Sequence, residues 1–193
     1  MAICYHIAMP DIIPITMFRD NLDHIPQHQL PAGFSIRNFR RGEGELWAQI
    51  GADAGGFGSF DEGMARFDAE FAFQIDEMES RCFFIVDDTT SHAVGTAMAW
   101  FDPDFNGELC GRVHWVAIIP EYQGKGLAKP LISTVLNRMS ESHDCAVLGT
   151  QTFRWKAVKL YLDFGFKPYF IHPTCPAAWR ELLSRFNLPD MGS

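Results

Sequence analysis

The 193-residue sequence predicts an α/β (α+β) fold: a central mixed, mostly antiparallel sheet flanked by helices. Three apolar or alternating runs, "CFFIVDD", "AVGTAMAWF" and "RVHWVAII", follow one another with turn residues between them, the pattern of an antiparallel meander. Strand and helix patterns alternate after them, which makes only the later part of the sheet parallel. Composition agrees, since 47% hydrophobic and 21% charged residues over this length favour one ordinary globular domain.

Element by element, residues 1–32 carry Pro10, Pro14, Pro26 and Pro31 without sustained periodicity and read as an extended arm over the body. "FSIRNF" alternates as a strand, and "GELWAQIGADAG" reads as a first helix dissolving into "GGFGS". In "FDEGMARFDAEFAFQIDEM", Met64, Phe67, Phe71 and Ile75 recur at helical spacing with acids opposite, so one second, amphipathic helix is expected. The meander follows. Leu127, Leu131, Val135 and Met139 then mark a helix, "CAVLGTQT" a buried strand, and Ala157, Leu160, Tyr161 and Phe164 another helix ended by Gly165. "FKPYFI" offers a last strand, and Trp179, Leu182, Leu183 and Phe186 a terminal amphipathic helix. The expected division is an arm at 1–32, the body at 33–173, and a closing helix and tail at 174–193.

A formal charge of -8 argues against a nucleic-acid footprint or an anionic membrane surface, both of which want clustered Lys and Arg. No apolar run is long enough to span a bilayer, and the N-terminal stretch lacks the early basic region of a secretory leader. Five cysteines form no C-x-x-C pair, which fits reduced thiols. A cytoplasmic location is therefore expected. His24 and His28 flank a proline and do not share a helical face, so no metal site is read there.

"PEYQGKGLAK", residues 120–129, joins the strand run to the next helix. Gly124, Gly126 and Ala128 let the backbone approach a ligand, and the first turn of any helix leaves N–H groups unpaired with a partial positive charge. Lys125 and Lys129 add formal charge, so a phosphate or pyrophosphate is the natural occupant. "GKG" lacks the hydroxyl and the upstream glycine of a P-loop, and the spacing fails the G-x-G-x-x-G dinucleotide fingerprint.

Gln123-Gly124-Lys125-Gly126-Leu127-Ala128 matches Q/R-x-x-G-x-G/A, and "AVKLYLDFGF" matches a small residue, an aliphatic, then Leu-Tyr and a closing Gly-Phe. In these two motifs, over roughly residues 34–171, the chain resembles the GNAT superfamily of acyl-CoA-dependent N-acetyltransferases. The resemblance implies a sheet splayed between "VHWVAII" and "CAVLGTQT", with acetyl-CoA as cosubstrate in the cleft and no metal. It implies that backbone groups of Val116 and Ile118 hold the pantetheine arm as a substitute strand, and that the amides of residues 124–128 hold the pyrophosphate. Arg154 stands where many relatives carry Asn; it either contacts a CoA phosphate or is solvated surface.

The implied reaction is N-acetyl transfer to a primary amine by direct attack in a ternary complex. A protonated amine must first lose a proton, and His114, on the strand beside the cleft, is the candidate base. Its alternation with Val113 and Trp115 equally permits a structural role, and a strand bulge common in the family leaves its facing open. Glu108 is a poorer second candidate. Tyr161 is the candidate acid for the leaving thiolate. Eight acids between residues 51 and 80, against Arg66 alone, would draw in a cationic amine, or else form a solvated helix face. A small-molecule amine is the expected partner, with homodimerisation left open. The alternatives are a protein or peptide N-acetyltransferase and a CoA-binding sensor or scaffold without turnover.

Overall fold

The structure, a computed structural model, describes residues 13–170 and 175–187. The first twelve residues of the expected arm and the expected boundary at 173 lie outside them. In chain order the elements are β1 (Pro14–Arg19), β2 (Phe34–Asn38), α1 (Gly44–Asp53), α2 (Phe60–Phe71), α3 (Ile75–Arg81), β3 (Cys82–Asp87), β4 (His92–Phe105) and β5 (Glu108–Ile118). A short 3₁₀ turn (Pro120–Tyr122) leads to α4 (Ala128–Ser140), β6 (Ala146–Gln151), α5 (Trp155–Asp163), β7 (Lys167–Tyr169) and α6 (Cys175–Arg185). The strands are mostly antiparallel, as the meander predicts, and β5 pairs parallel with β6.

The residues group into two compact units, one from Asp20 to Val147 and one made of the chain up to Arg19 and from Leu148 onward. In the larger unit β2, β3, β4 and β5 pair in sequence order. Trp47, Phe57, Phe67, Phe71, Met98 and Trp100 form the centre of an apolar cluster in which α1 and α2 cover this sheet. Small residues let those helices close. A Cβ on Gly44 would meet the Phe67 ring, and one on Gly51 or Gly63 would meet the Phe57 ring. On α4, Leu131, Ile132, Val135, Leu136 and Met139 are buried, and Gly111 of β5 makes room for Met139. The chain ahead of β2 is tied down here as well: Ser133 Oγ donates to the Pro26 carbonyl at 2.8 Å, and the Gln27 and Asn137 amides exchange two hydrogen bonds.

The helix expected across residues 60–78 is two helices. Continuing α2 past Phe71 would demand helical geometry where Gln74 has φ -133° and Phe73 is 99% exposed. The Gln74 amide instead bonds the Phe71 carbonyl, and Ile75 opens α3. Ser59 caps α2 by accepting from the Glu62 amide, while the Glu62 carboxylate accepts from the Gly58 amide.

In the smaller unit β1 pairs antiparallel with β7, Thr16 opposite Tyr169. Ile15, Met17 and Arg19 are its buried residues, and Arg19 donates to the Phe164 carbonyl. The sequence reading has no strand here, because three buried alternate positions ending in an arginine are too short a pattern to separate from an extended arm. Gly165 has φ 82° and ends α5 as expected, and Trp179, Leu182 and Leu183 are buried residues of α6.

Candidate active site

β5 carries the chemistry. Met98 of β4 lies opposite His114 and Thr96 opposite Ala117, so Trp115 and Val116 together oppose the single residue Ala97. Trp115 takes up the extra residue with φ 46°, a left-handed conformation costly for a bulky side chain. Neighbouring strand residues normally face opposite ways. Here the bulge turns both rings to one side, where the His114 and Trp115 centroids lie 5.2 Å apart. Trp115 is held against Phe57 at 4.9 Å and Trp47 at 5.5 Å.

Both rings reach Glu70 near the end of α2. Trp115 Nε1 donates to Glu70 Oε2 at 2.9 Å, and His114 Nε2 lies 3.1 Å from the same oxygen. Arg66, one turn earlier, lies 3.3 Å from Oε1. Burial pushes the Glu70 carboxyl up, but the bonds from His114 and Trp115 and the charges of His114 and Arg66 outweigh it, leaving the group below the ordinary carboxylate range. Beside this cluster opens a cleft of about 290 Å³ lined by Glu70, Phe71, Trp100, Phe101, Asp102, Pro103, Arg112 and His114. Arg112 and Asp102 are paired across β4 and β5.

Of the eight acids at 51–80, Glu70 alone lines this cleft. Asp76 and Glu79 bind Arg41, Glu77 binds Arg81, Asp53 binds Gln49, and Glu62 serves the α2 cap. Glu108 lies at the hairpin end of β5, opposite Phe105 and outside the cleft. Phe57 and Trp100 are buried in the apolar cluster, and only Trp100 also faces the cleft. Sequence reading missed the roles of Glu70, Trp115, Asp102 and Arg112. The one available signal was the loss of alternation at "HWVAII".

Past the bulge, β5 runs into the Gly-rich loop. Along β5 the pairing with β6 takes in Gly111 and Arg112 and does not extend to Val116 or Ile118 among the described residues. On the other edge Ile118 lies opposite Gly95, and its carbonyl accepts from Gln123 Nε2 at 2.9 Å. Gly124 and Gly126 have φ of 76° and 80°, and a Cβ on Gly124 would meet nothing within 4 Å. Leu127 is the N-cap of α4, buried and without a side-chain cap, and its carbonyl accepts from the Leu131 amide at 3.3 Å. The amides of Ala128 and Lys129 thus have no earlier helical turn to bond. Lys125 and Lys129 are exposed, and the Lys125 ammonium lies 4.1 Å from the Tyr122 ring centroid. Tyr122 in turn donates to Asp87 Oδ2 at 2.9 Å, which anchors the loop and holds Asp87 below its ordinary range.

In the smaller unit, Tyr161 of α5 is buried against Phe166, with centroids 6.0 Å apart. Burial pushes its phenol up to about 12, and the nearby Arg154 charge opposes this. Arg154 is the N-cap of α5, half-buried, over Phe153 at 5.4 Å, with a buried Nε that has no partner. Among the described residues no cluster of three or more His, Cys, Asp or Glu is placed to hold a metal.

The acetyltransferase (GNAT) family model matches residues 47–166, more than half of the chain. The chain belongs to the GNAT acetyltransferase family. This family of transferases uses acetyl-CoA. N-alpha-acetyltransferase 30 of Saccharomyces cerevisiae is 30% identical over 79 residues, 40% of this chain and 45% of that protein. A GCN5-related N-acetyltransferase from Sphaerobacter thermophilus superposes with a TM-score of 0.61 at 19% identity, covering 82% of this chain and 50% of that one. Aminoglycoside N-acetyltransferase AAC(6')-Iy in complex with CoA gives a TM-score of 0.56 at 16% identity, covering 75% of this chain and 96% of that one. The two structures share the GNAT fold with this chain. The chain spans about half the length of the curated relative and of the first structure.

Proposed function

We propose that the chain is an N-acetyltransferase that moves an acetyl group from acetyl-CoA to a primary amine by direct attack in a ternary complex. The observation that carries this reading is one strand serving two ends of a reaction. β5 presents His114 to the cleft and then feeds the loop of open glycines and bare helix amides. The cradle fits an anion, because left-handed Gly124 and Gly126 turn the backbone without a side chain in the way. The amides of residues 124–128, with Lys125 and Lys129, would hold the pyrophosphate. Gln123 would shape the loop through the Ile118 carbonyl, and the free edge at Val116 and Ile118 would receive the pantetheine arm. Arg154 would add a contact to a CoA phosphate.

Acetyl-CoA supplies an activated acetyl group as a thioester. An ammonium acceptor sheds two protons overall: one leaves before the C–N bond forms, and one goes to sulfur, which keeps the electron pair of the broken C–S bond. His114 takes the first. The second leaves the attacking nitrogen as the intermediate collapses and ends on the departing sulfur, to which Tyr161 would donate a hydrogen bond. With its phenol pushed up to about 12, it stays protonated throughout the working range. Against a thiol near ~8.5, it stabilises the leaving sulfur by donating a hydrogen bond more readily than by complete transfer.

The cleft sets two carboxylates, Glu70 and Asp102, against one guanidinium, Arg112, which favours a cationic acceptor while its aromatic walls favour an apolar body. A small-molecule amine is the reading we favour. A peptide N-terminus is the second, supported by the 30% likeness to N-alpha-acetyltransferase 30. The lack of any C-x-x-C pair among the five cysteines supports a reducing, cytoplasmic setting. The test is thiol release from acetyl-CoA against panels of amines, amino acids and peptides. Turnover of a cationic amine bears out the reading; acetyl-CoA binding with no turnover on any panel points to a sensor instead.

A further inference from the structure

The convergence of two consecutive strand residues on one carboxylate oxygen goes beyond a charged wall. A carboxylate is acceptor-only, so each group facing Glu70 Oε2 within hydrogen-bond distance must bring a hydrogen. Trp115 Nε1 has one in every state. Glu70 is held below the ordinary carboxylate range and is ionised at neutral pH, so the His114 nitrogen 3.1 Å away must carry a proton too. In a neutral imidazole only one ring nitrogen is protonated.

We propose that Glu70 is a positioning residue that fixes His114 as its Nε2–H tautomer and so makes Nδ1 the nitrogen that takes the proton of the acceptor amine. Nδ1 has no hydrogen-bond partner among the described residues. When it accepts the proton, Glu70 faces the resulting imidazolium across the existing Nε2–H bond, so charge develops beside an opposite charge already in place. The proton leaves the amine nitrogen, whose electron pair is then free for the thioester carbonyl. Trp115 fills the second hydrogen-bond site on Oε2 and keeps the carboxylate from turning away. Arg66 restrains the other oxygen. The remaining charges facing the ring are Asp102 of β4 and Arg112 of β5, which are paired with each other and present no uncompensated charge. Glu70 is the one carboxylate from α2 on the ring. The arrangement rests on the reading of His114 as the base.

Nitrogen-15 NMR of histidine-labelled full-length protein tests the tautomer without any acceptor. The His114 proton should reside on Nε2 and exchange slowly, and Glu70→Ala should abolish that protection. A wild-type ring protonated at Nδ1 overturns the proposal. Glu70→Gln keeps an oxygen able to accept both donors and controls for folding. Its protection should persist while the rate of acetyl transfer from acetyl-CoA to benzylamine, the probe acceptor, falls on the order of tenfold or more with the loss of charge. Groups acting as one unit are not additive, so Glu70→Ala/His114→Ala should be no slower than His114→Ala alone. Rate losses that multiply overturn the proposal. A His114→Ala protein with the wild-type rate removes the base assignment itself. A slow His114→Ala beside an unimpaired Glu70→Gln removes only the part given to Glu70.

Discussion

Gly51→Ala sets two opposing effects against each other at a position where the structure decides the sign. Gly51 is a buried residue of α1, and in an unobstructed helix the substitution would gain about 1 kcal/mol from helix propensity. The added Cβ, however, would lie 2.7 Å from Phe57 Cδ2 and closer still to a neighbouring ring carbon, inside any real carbon contact. Phe57 is 8% exposed and wedged between Trp47 at 5.4 Å and Trp115 at 4.9 Å, so the ring has nowhere to retreat without moving an indole. Overpacking of this kind costs about 1–3 kcal/mol. Subtracting the propensity gain leaves a net loss of up to about 2 kcal/mol. Urea unfolding followed by tryptophan fluorescence measures it: the midpoint should fall with an unchanged slope. Because Trp115 holds Glu70, acetyl transfer at a temperature where both proteins are folded should fall as well. A Gly51→Ala protein that is more stable than the wild type would refute the reasoning, since it would mean that the space around Phe57 is not closed.

Gly126→Glu places a carboxylate in the cradle at a backbone with φ 80°, and calorimetry should show acetyl-CoA affinity lost with the protein still folded; unchanged affinity removes the site. Tyr161→Phe keeps the ring against Phe166 and should leave the unfolding midpoint near that of the wild type, while lowering kcat by on the order of 10²–10⁴, less if water substitutes. His143, buried with neither ring nitrogen hydrogen-bonded and close to Arg81 and Arg138, is held below its ordinary value by burial first and those charges second. The unfolded chain therefore binds a proton near pH ~6.5 that the folded chain refuses. Stability is full above that pH and falls as the pH drops below it, before the carboxylates titrate, and urea midpoints in His143→Leu should lose this dependence between about pH 6.5 and 5.

The meander and the helix after the Gly-rich loop were legible because each is decided locally, by alternation in "AVGTAMAWF" and by a four-residue repeat from Leu127 to Met139. The second helix was misjudged because Met64, Phe67, Phe71 and Ile75 keep helical spacing through a break made by Phe73 and Gln74, where packing rather than spacing sets the end. His114 and the Gly-rich loop were visible in the residues themselves. Glu70 was not: it was one acid among eight, and nothing local marks the one that meets a strand bulge 44 positions away. Trp115 was hidden for a related reason, since its facing depends on a left-handed φ that no tryptophan announces.

The bulge also acts as a parity shift along β5. Before it, the even-numbered residues Arg112 and His114 face the cleft; after it, the odd-numbered residues Trp115, Ala117 and Ile119 pack against the aromatic cluster on that side. Removing one residue, such as Val116, would abolish the bulge and restore regular alternation, turning Trp115 to the opposite face while Ala117 and Ile119 keep theirs. The Trp115 ring would leave Phe57 and Trp47, and Glu70 would lose the indole N–H that it accepts from. Strand length between His114 and Gln123 is therefore as constrained as residue identity. Substitutions along this stretch can be conservative one at a time, whereas a single deletion would take Trp115 away from Glu70 and with it a support of the cleft wall.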